Sequence, residues 1–380
     1  MTKERFNELC RDWFELPWQS TDDVRPDLSK VKVYDSTLRE GLDEGVSVYP
    51  HRPAWHEQIL PLASRLEALN LGAVELPGPD FLPHERLEEL YGCFENTPKS
   101  VKIQFSSRDP ESAKASIDEA ISLGADILTN DDAGSSDLFI REPKDFERLA
   151  DSLAEVVAHG KAGGVRFHAT TSDSFRAPVA RLATLCRRMA DAGADVFGLK
   201  DTFGLATPTQ AKRTVEALGR ECPSIPLEIH CHDDTGLGLA NTLAGAEAGV
   251  MWLDGCMNGL GDRAGHTSLE QLVMVLELSY GVRTGVPLER LREASLYLQS
   301  ITGLANPTKP LVGEKIFNEA RGRHLIHSIL LKLVMSGKYN DDRLLATVCE
   351  AAELLAAVNE RTIDEVWIGQ WLEELEGAAV

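Results

Sequence analysis

Short apolar runs rich in β-branched residues alternate, over the first 280 positions, with longer stretches in which Leu, Ala and Val recur at intervals of three and four. The runs KVKVYDS (30–36), GAVELP (72–77), VKIQFSS (101–107), ADILTN (125–130), GVRFHATT (164–171), DVFGLKD (195–201), LEIHCHD and MWLDGCMNG (251–259) read as strands. Between them, HEQILPLASRLEALN, PESAKASIDEAISLG, DFERLADSLAEVVAHG, VARLATLCRRMADAG and TPTQAKRTVEALGRE read as helices with charges on the face opposite the apolar stripe, several ending in Gly. Eight strand and helix units within about 250 residues predict an α/β fold, a closed parallel (β/α)8 TIM barrel, with an open doubly wound sheet as the alternative. After position 280 the strand signal stops. PLERLREASLYLQSITGL, HLIHSILLKLVMSG, DDRLLATVCEAAELLAAV and TIDEVWIGQWLEELEG predict helices, with ANPTKPLVGEK (305–315) as a linker. The expected organisation is an N-terminal extension (1–28), a barrel (29–280) and a smaller helical C-terminal region (281–380).

Composition narrows the class. At 380 residues the chain can bury a large core. The start, MTKERFNELCRDWFELPWQS, is charged throughout and does not resemble a secretory segment, and no apolar stretch approaches the roughly 18 residues of a membrane span. A soluble, cytoplasmic protein is expected. Seven scattered cysteines without CxxC spacing argue against a disulfide framework and against a thiolate zinc knuckle. Sixty acidic against 39 basic residues, a formal charge of -21, would repel a phosphate backbone or an anionic membrane. Neither nucleic acid nor membrane is expected as a partner.

The chemistry begins at LEIHCHDDTGLG. His230 and His232 are two residues apart on the seventh strand, so both side chains point the same way at the end of the barrel where catalytic groups gather. Two adjacent imidazoles start a divalent-metal site that still needs a carboxylate or a third nitrogen, or else they form a hydrogen-bonded structural pair. In a closed barrel the first strand is separated from the seventh by only the eighth, so Asp35 or Glu40 of VYDSTLREG (33–41) could supply that carboxylate.

Taken together, DSTLREG, HCHDDTGLGLANTLAGAEAG, NGLGDRAGH and LKDTFGLATP resemble the metal-dependent family that contains 2-isopropylmalate synthase, homocitrate synthase and hydroxymethylglutaryl-CoA lyase, over roughly residues 30 to 330. The resemblance implies Glu40 as the metal carboxylate with His230 and His232 as its partners. It implies Arg39 as the cation that meets developing negative charge on oxygen, a task suited to a fork of donors that never loses its proton. Glu75 matches a glutamate of the catalytic network, and Thr202 a threonine that binds the carboxylate of a 2-oxo acid. His266 stands where synthases carry Asn, and it could ligate or act as an acid or base beside the metal. His324, in KPLVGEKIFNEARGRH, matches an acid/base histidine on a helical extension that synthases exchange between the subunits of a homodimer. RGRH could instead bind phosphates of coenzyme A.

The implied reaction is a Claisen-type condensation of acetyl-CoA with a 2-oxo acid, giving a 2-hydroxy acid and CoA, at a divalent ion such as zinc, manganese, iron, cobalt or magnesium. A lyase running the cleavage direction would share Arg39, Glu40 and the histidines, and the segment bearing His324 argues against it. GLKDTFG also resembles biotin-dependent carboxyltransferases, which would make Lys200 a modified ligand. The fifth-strand stretch FHATTSDS departs from the synthase pattern and puts His168, Thr170 and Thr171 in the expected acceptor pocket. With GLDEG (41–45) and PGPDF (77–81) it points to a specialised acceptor such as oxaloacetate or a phosphono-oxo acid, with Arg141, Arg176 and His168 as its extra cations.

Overall fold

Each of the eight apolar runs overlaps a strand in the computed structural model, which describes residues 26–44, 55–131 and 133–303. The strands are β1 (Lys32–Asp35), β2 (Ala73–Pro77), β3 (Lys99–Ile103), β4 (Ile127–Asn130), β5 (Arg166–Thr171), β6 (Val196–Asp201), β7 (Leu227–Cys231) and β8 (Trp252–Gly255). All are parallel and follow one another in sequence order, and β8 pairs with β1 from Lys32↔Trp252 to Asp35↔Gly255. That pairing closes the sheet into a TIM barrel and rules out the open alternative.

The third strand starts and ends earlier than the run VKIQFSS suggests. Gln104 has left the ladder, and its N–H donates to Asp80 Oδ2 at 3.2 Å. Asp109 then caps the following helix, accepting from the Ser112 N–H.

The outer ring contains α1 (Leu60–Glu67), α2 (His84–Tyr91), α3 (Pro110–Ser122), α4 (Pro143–Ala162), α5 (Val179–Asp191), α6 (Pro208–Glu221), α7 (Gly238–Glu247) and α8 (Leu269–Leu278). Their apolar stripes meet the outward faces of the strands, where Val74, Leu76, Val101, Ile103, Leu128, Phe167, Phe197, Leu199, Ile229 and Leu253 are buried in one continuous core. A further helix, α9 (Leu288–Thr302), buries Leu291, Ala294, Leu298 and Ile301 in the same core. Its Tyr297 ring stacks under the Arg65 guanidinium of α1 at 3.9 Å. No helix of the described residues is long and apolar enough to cross a membrane.

The inward faces differ. At the entry end of the strands Tyr34, Ala73, Ile127, Val196 and Trp252 form a small apolar plug. Because side chains alternate, the next inward positions are two residues further along each strand. There the barrel turns polar: Glu75, Thr129 and Asp254, and beyond them Lys102, Lys200, His230 and His232, all buried. Such groups are costly to bury unpaired, so their partners define the candidate site.

Candidate metal centre

The chain leaves β1 in a π-helical turn, Thr37–Glu44, whose wider spacing places Arg39 and Glu40 over the barrel mouth. The turn is pinned on both sides. Thr37 Oγ1 donates to Asp35 Oδ1 at 2.5 Å and accepts from the Met257 N–H at 2.7 Å. The Glu40 N–H donates to Ser36 O at 2.8 Å.

Opposite, β7 presents His230 and His232 with their Nε2 atoms 3.4 Å apart. The Nδ1 of His230 shares a hydrogen bond with Asp254 Oδ2 at 2.5 Å, and that of His232 faces Gly265 O at 3.3 Å. Each ring therefore has its second nitrogen anchored and its Nε2 free to face the centre, as a metal-binding imidazole requires. His266 arrives on the NGLGDRAGH loop, which folds back so that His232 and His266 form an antiparallel bridge. The turn needs Gly265, whose φ is 98° and where a Cβ would lie 2.0 Å from Gly259 O. The His266 ring centre is 3.9 Å from that of His230.

Among the described residues, two sets of three groups can each bring one donor atom within 4.8 Å of the others: Glu40, His230 and His232, and His230, Asp254 and His266. The donor atoms also look for a partner. Glu40 Oε1 and both nitrogens of His266 are buried and accept no hydrogen bond among the described residues. A cluster of buried, unpartnered oxygen and nitrogen acceptors suits a divalent cation.

The electrostatics keep these donors deprotonated. Burial alone would raise the Glu40 carboxyl, but Arg39, then His232, Lys102 and His266 hold it at about 2. Burial, then the neighbouring rings His266 and His232, push His230 well below the ordinary imidazole value. His266 is lowered to about 3 by burial and His232, and His232 is lowered by burial against the opposing pull of Glu40. Neutral imidazoles and an ionised carboxylate are the forms that bind metal.

Glu40 also begins a chain of alternating charge. Its Oε2 is 2.6 Å from Arg39 Nη1, and Arg39 Nε is 2.7 Å from Glu75 Oε2. Lys102 Nζ then lies 3.7 Å from Glu75 Oε1 and 3.1 Å from Asp131 Oδ1, and Lys200 Nζ is 3.8 Å from the same Asp131 oxygen. Burial and the Lys102 ammonium lower Lys200 to about 8, with Asp131 opposing.

The structure thus brings Arg39, Glu40, Glu75, His230, His232 and His266 together. The residues expected in the acceptor pocket fare differently. His168 sits a step deeper in the barrel, its Nδ1 on Glu228 Oε2 at 2.6 Å and its ring between Tyr34 and Trp252, because its place in β5 is level with the apolar plug. Thr170 Oγ1 donates to Asn130 O at 2.7 Å, and Thr202 Oγ1 accepts from the Asp173 N–H at 2.8 Å. The Thr170 hydroxyl ties β5 to the end of β4, and that of Thr202 holds the loop after β5. Arg176 is locked on Asp173 by two hydrogen bonds, and Arg141 is exposed beyond β4. His324 lies outside the described residues, as do Trp13, Phe14, Trp18 and the linker 305–315.

Asp254, Lys102 and Asp131 were not singled out from the sequence. For Lys102 and Asp254 the signal is a charged residue interrupting the apolar run of a strand buried on both faces, as in VKIQF and MWLDG, whereas Asp131 lies just past β4 and carries no such mark.

Comparison with known proteins adds to this geometry. A profile of the family described as HMGL-like matches residues 30–297. A probable 2-isopropylmalate synthase of Ignicoccus hospitalis is 32% identical over 79% of this chain and 73% of its own. A homocitrate synthase of Methanocaldococcus jannaschii is 29% identical over 82% of this chain and 76% of its own. A putative (R)-citramalate synthase of Methanosphaerula palustris is 33% identical over 78% of this chain, which spans 57% of that relative. Among solved structures, hydroxymethylglutaryl-CoA lyase from Pseudomonas aeruginosa superposes with a TM-score of 0.62 at 20% identity, over 74% of this chain and 96% of its own. The carboxyl transferase domain of Rhizobium etli pyruvate carboxylase gives 0.54 at 20% identity, over 79% of this chain and 50% of its own. At those identities the likeness is one of fold.

Proposed function

This chain belongs to the HMGL-like family, and on that premise we propose that it condenses acetyl-CoA with a 2-oxo acid to give a 2-hydroxy acid and free CoA. The observation that carries the reading is the convergence of Glu40, His230 and His232 within 4.8 Å of one another, beside a buried guanidinium fixed on Glu40. Glu40, His230 and His232 would hold a divalent ion, with His266 as a further nitrogen donor. A nitrogen-rich set of this kind favours zinc, iron, cobalt or manganese over magnesium. Bound there, such an ion supplies Lewis acidity to the ketone of the acceptor.

The chain's own residues do the rest. Arg39 cannot lose its proton and directs donors to the mouth, so it stabilises the oxygen on which negative charge develops as the new carbon–carbon bond forms. Glu75 fixes the guanidinium plane from behind through Nε. The acetyl methyl must lose a proton before it attacks the ketone carbon. His324, matched by resemblance alone, or a water that it orders, is the proposed base. Water then cleaves the thioester, the CoA thiolate leaves and takes up a proton, and a carboxylate remains. A homodimer in the cytoplasm is the proposed assembly and location, on the same resemblance.

Relatives at 28–33% identity carry synthase names, whereas the lyases share the barrel at 19–22%, which favours condensation over cleavage. The test is thiol release from acetyl-CoA by protein supplied with Mn2+ or Zn2+ and a panel of 2-oxo acids. Release that depends on both metal and acceptor is expected. Cleavage of hydroxyacyl-CoA without any acceptor, and no release with one, would make the protein a lyase.

A further inference from the structure

The alternating chain that starts at Glu40 does not stop at the catalytic guanidinium. It crosses the barrel mouth from the β1 side to Lys102 on β3 and Lys200 on β6, with Asp131 between the two ammonium groups. Three carboxylates, Glu40, Glu75 and Asp131, face three cations, Arg39, Lys102 and Lys200. The protein charges along this line pair one to one, and its far end carries two ammonium groups against the single Asp131 carboxylate. An acceptor with a second anionic group would meet that excess of positive charge, whereas an apolar tail would not.

The two ammonium groups also have unused donors. Lys102 is 1% exposed, and its Nζ has no hydrogen bond of regular geometry among the described residues. The Lys200 Nζ is 3.8 Å from Asp131, beyond hydrogen-bond reach. The inward positions beside them are Thr129, Thr170 and Gly198, which offer no apolar wall for an alkyl tail. A methyl group placed here would leave both ammonium groups without a partner, whereas an anionic group would satisfy them. Of the other cations expected for a specialised acceptor, Arg176 is held on Asp173, His168 sits on Glu228 below the mouth, and Arg141 is exposed beyond β4.

We propose that Lys102 and Lys200 form an anion subsite for the far end of the acceptor, so that the substrate class is a 2-oxo acid bearing a distal carboxylate or phosphonate. The inference rests on the condensing activity proposed above, and its test separates the two. Metal-loaded full-length protein is assayed for thiol release with acceptors matched in length, oxaloacetate against 2-oxobutanoate and 2-oxoglutarate against 2-oxopentanoate, together with 3-phosphonopyruvate. The anionic member of each productive pair is expected to have the higher kcat/KM by roughly 10- to 100-fold, the scale of a charge-assisted buried contact. Faster turnover of 3-phosphonopyruvate than of oxaloacetate assigns the phosphonate, and the reverse order the carboxylate. Lys200→Gln, which leaves Asp131 paired with Lys102, is expected to lower the anionic-to-neutral ratio about tenfold, and Lys200→Arg to restore part of it.

A second readout needs no turnover. The same acids, added without acetyl-CoA, should raise the melting temperature of the metal-loaded wild-type protein more when the tail is anionic, a difference that Lys200→Gln reduces. Equal or better use of the neutral-tailed acceptors would overturn the subsite and leave the condensing activity standing. Thiol release with no acceptor at all would overturn the activity, and the melting shifts alone would then decide the subsite: equal shifts for matched acids reject it.

Discussion

Asp254 holds His230 by its far nitrogen: Oδ2 lies 2.5 Å from Nδ1, across the β7–β8 pair, while Ser36 Oγ donates to the other carboxyl oxygen. The contact fixes which nitrogen of His230 is left for the centre. Asp254→Asn keeps the shape but removes the carboxylate that orients and polarises the ring, and it should weaken divalent-metal affinity about 10- to 100-fold. Titration of metal-stripped protein with Zn2+ against a competing chelator measures this. Unchanged affinity would separate Asp254 from the centre.

Arg39 bridges two buried carboxylates at once, through Nη1 to Glu40 and through Nε to Glu75. A lysine has one nitrogen and cannot span both. Arg39→Lys should therefore lower kcat for thiol release by about 10^2- to 10^3-fold, the usual scale for losing a donor to developing oxygen charge. Metal stoichiometry, followed in parallel, should remain one per chain. A variant that keeps full kcat would remove Arg39 from the chemistry.

Gly265 turns the loop that delivers His266. Alanine there meets both a positive φ of 98° and the Gly259 carbonyl at 2.0 Å. Gly265→Ala should destabilise the fold by about 1–3 kcal/mol and weaken metal binding as His266 is displaced. Gly164 provides the contrast, since its φ is 84° with nothing within 4 Å of the added Cβ. Gly164→Ala should cost only about 1 kcal/mol and leave metal affinity as it was. Urea denaturation of the two variants, with metal titration, distinguishes them.

Much of this fold is legible in the sequence because the barrel's outer layer obeys simple periodicity. The runs around Val74, Leu128 and Ile229 face the helices, and their apolar side chains mark the strands directly. The proposed ligands are legible for a different reason: HCH and LREG are short, local patterns whose geometry follows from a strand end. The far side of the mouth escapes such reading. Lys102 lies on β3, Asp131 just past the neighbouring β4 and Lys200 on β6, so the three are spread along the sequence and meet only because the curved sheet turns their ends toward one mouth. His168 misleads for the converse reason, since a polar residue in a strand reads as a site residue although its depth puts it on Glu228 below the mouth. Depth along the barrel axis depends on strand register, and register cannot be counted from a single strand.

Anomalous diffraction from crystals of the protein grown with Mn2+ tests the central claim most directly. The account predicts one strong peak per chain at the barrel mouth, with a Glu40 carboxylate oxygen and the Nε2 atoms of His230 and His232 at about 2.0–2.2 Å. A peak elsewhere, or none with those three side chains ordered and apart, would contradict it.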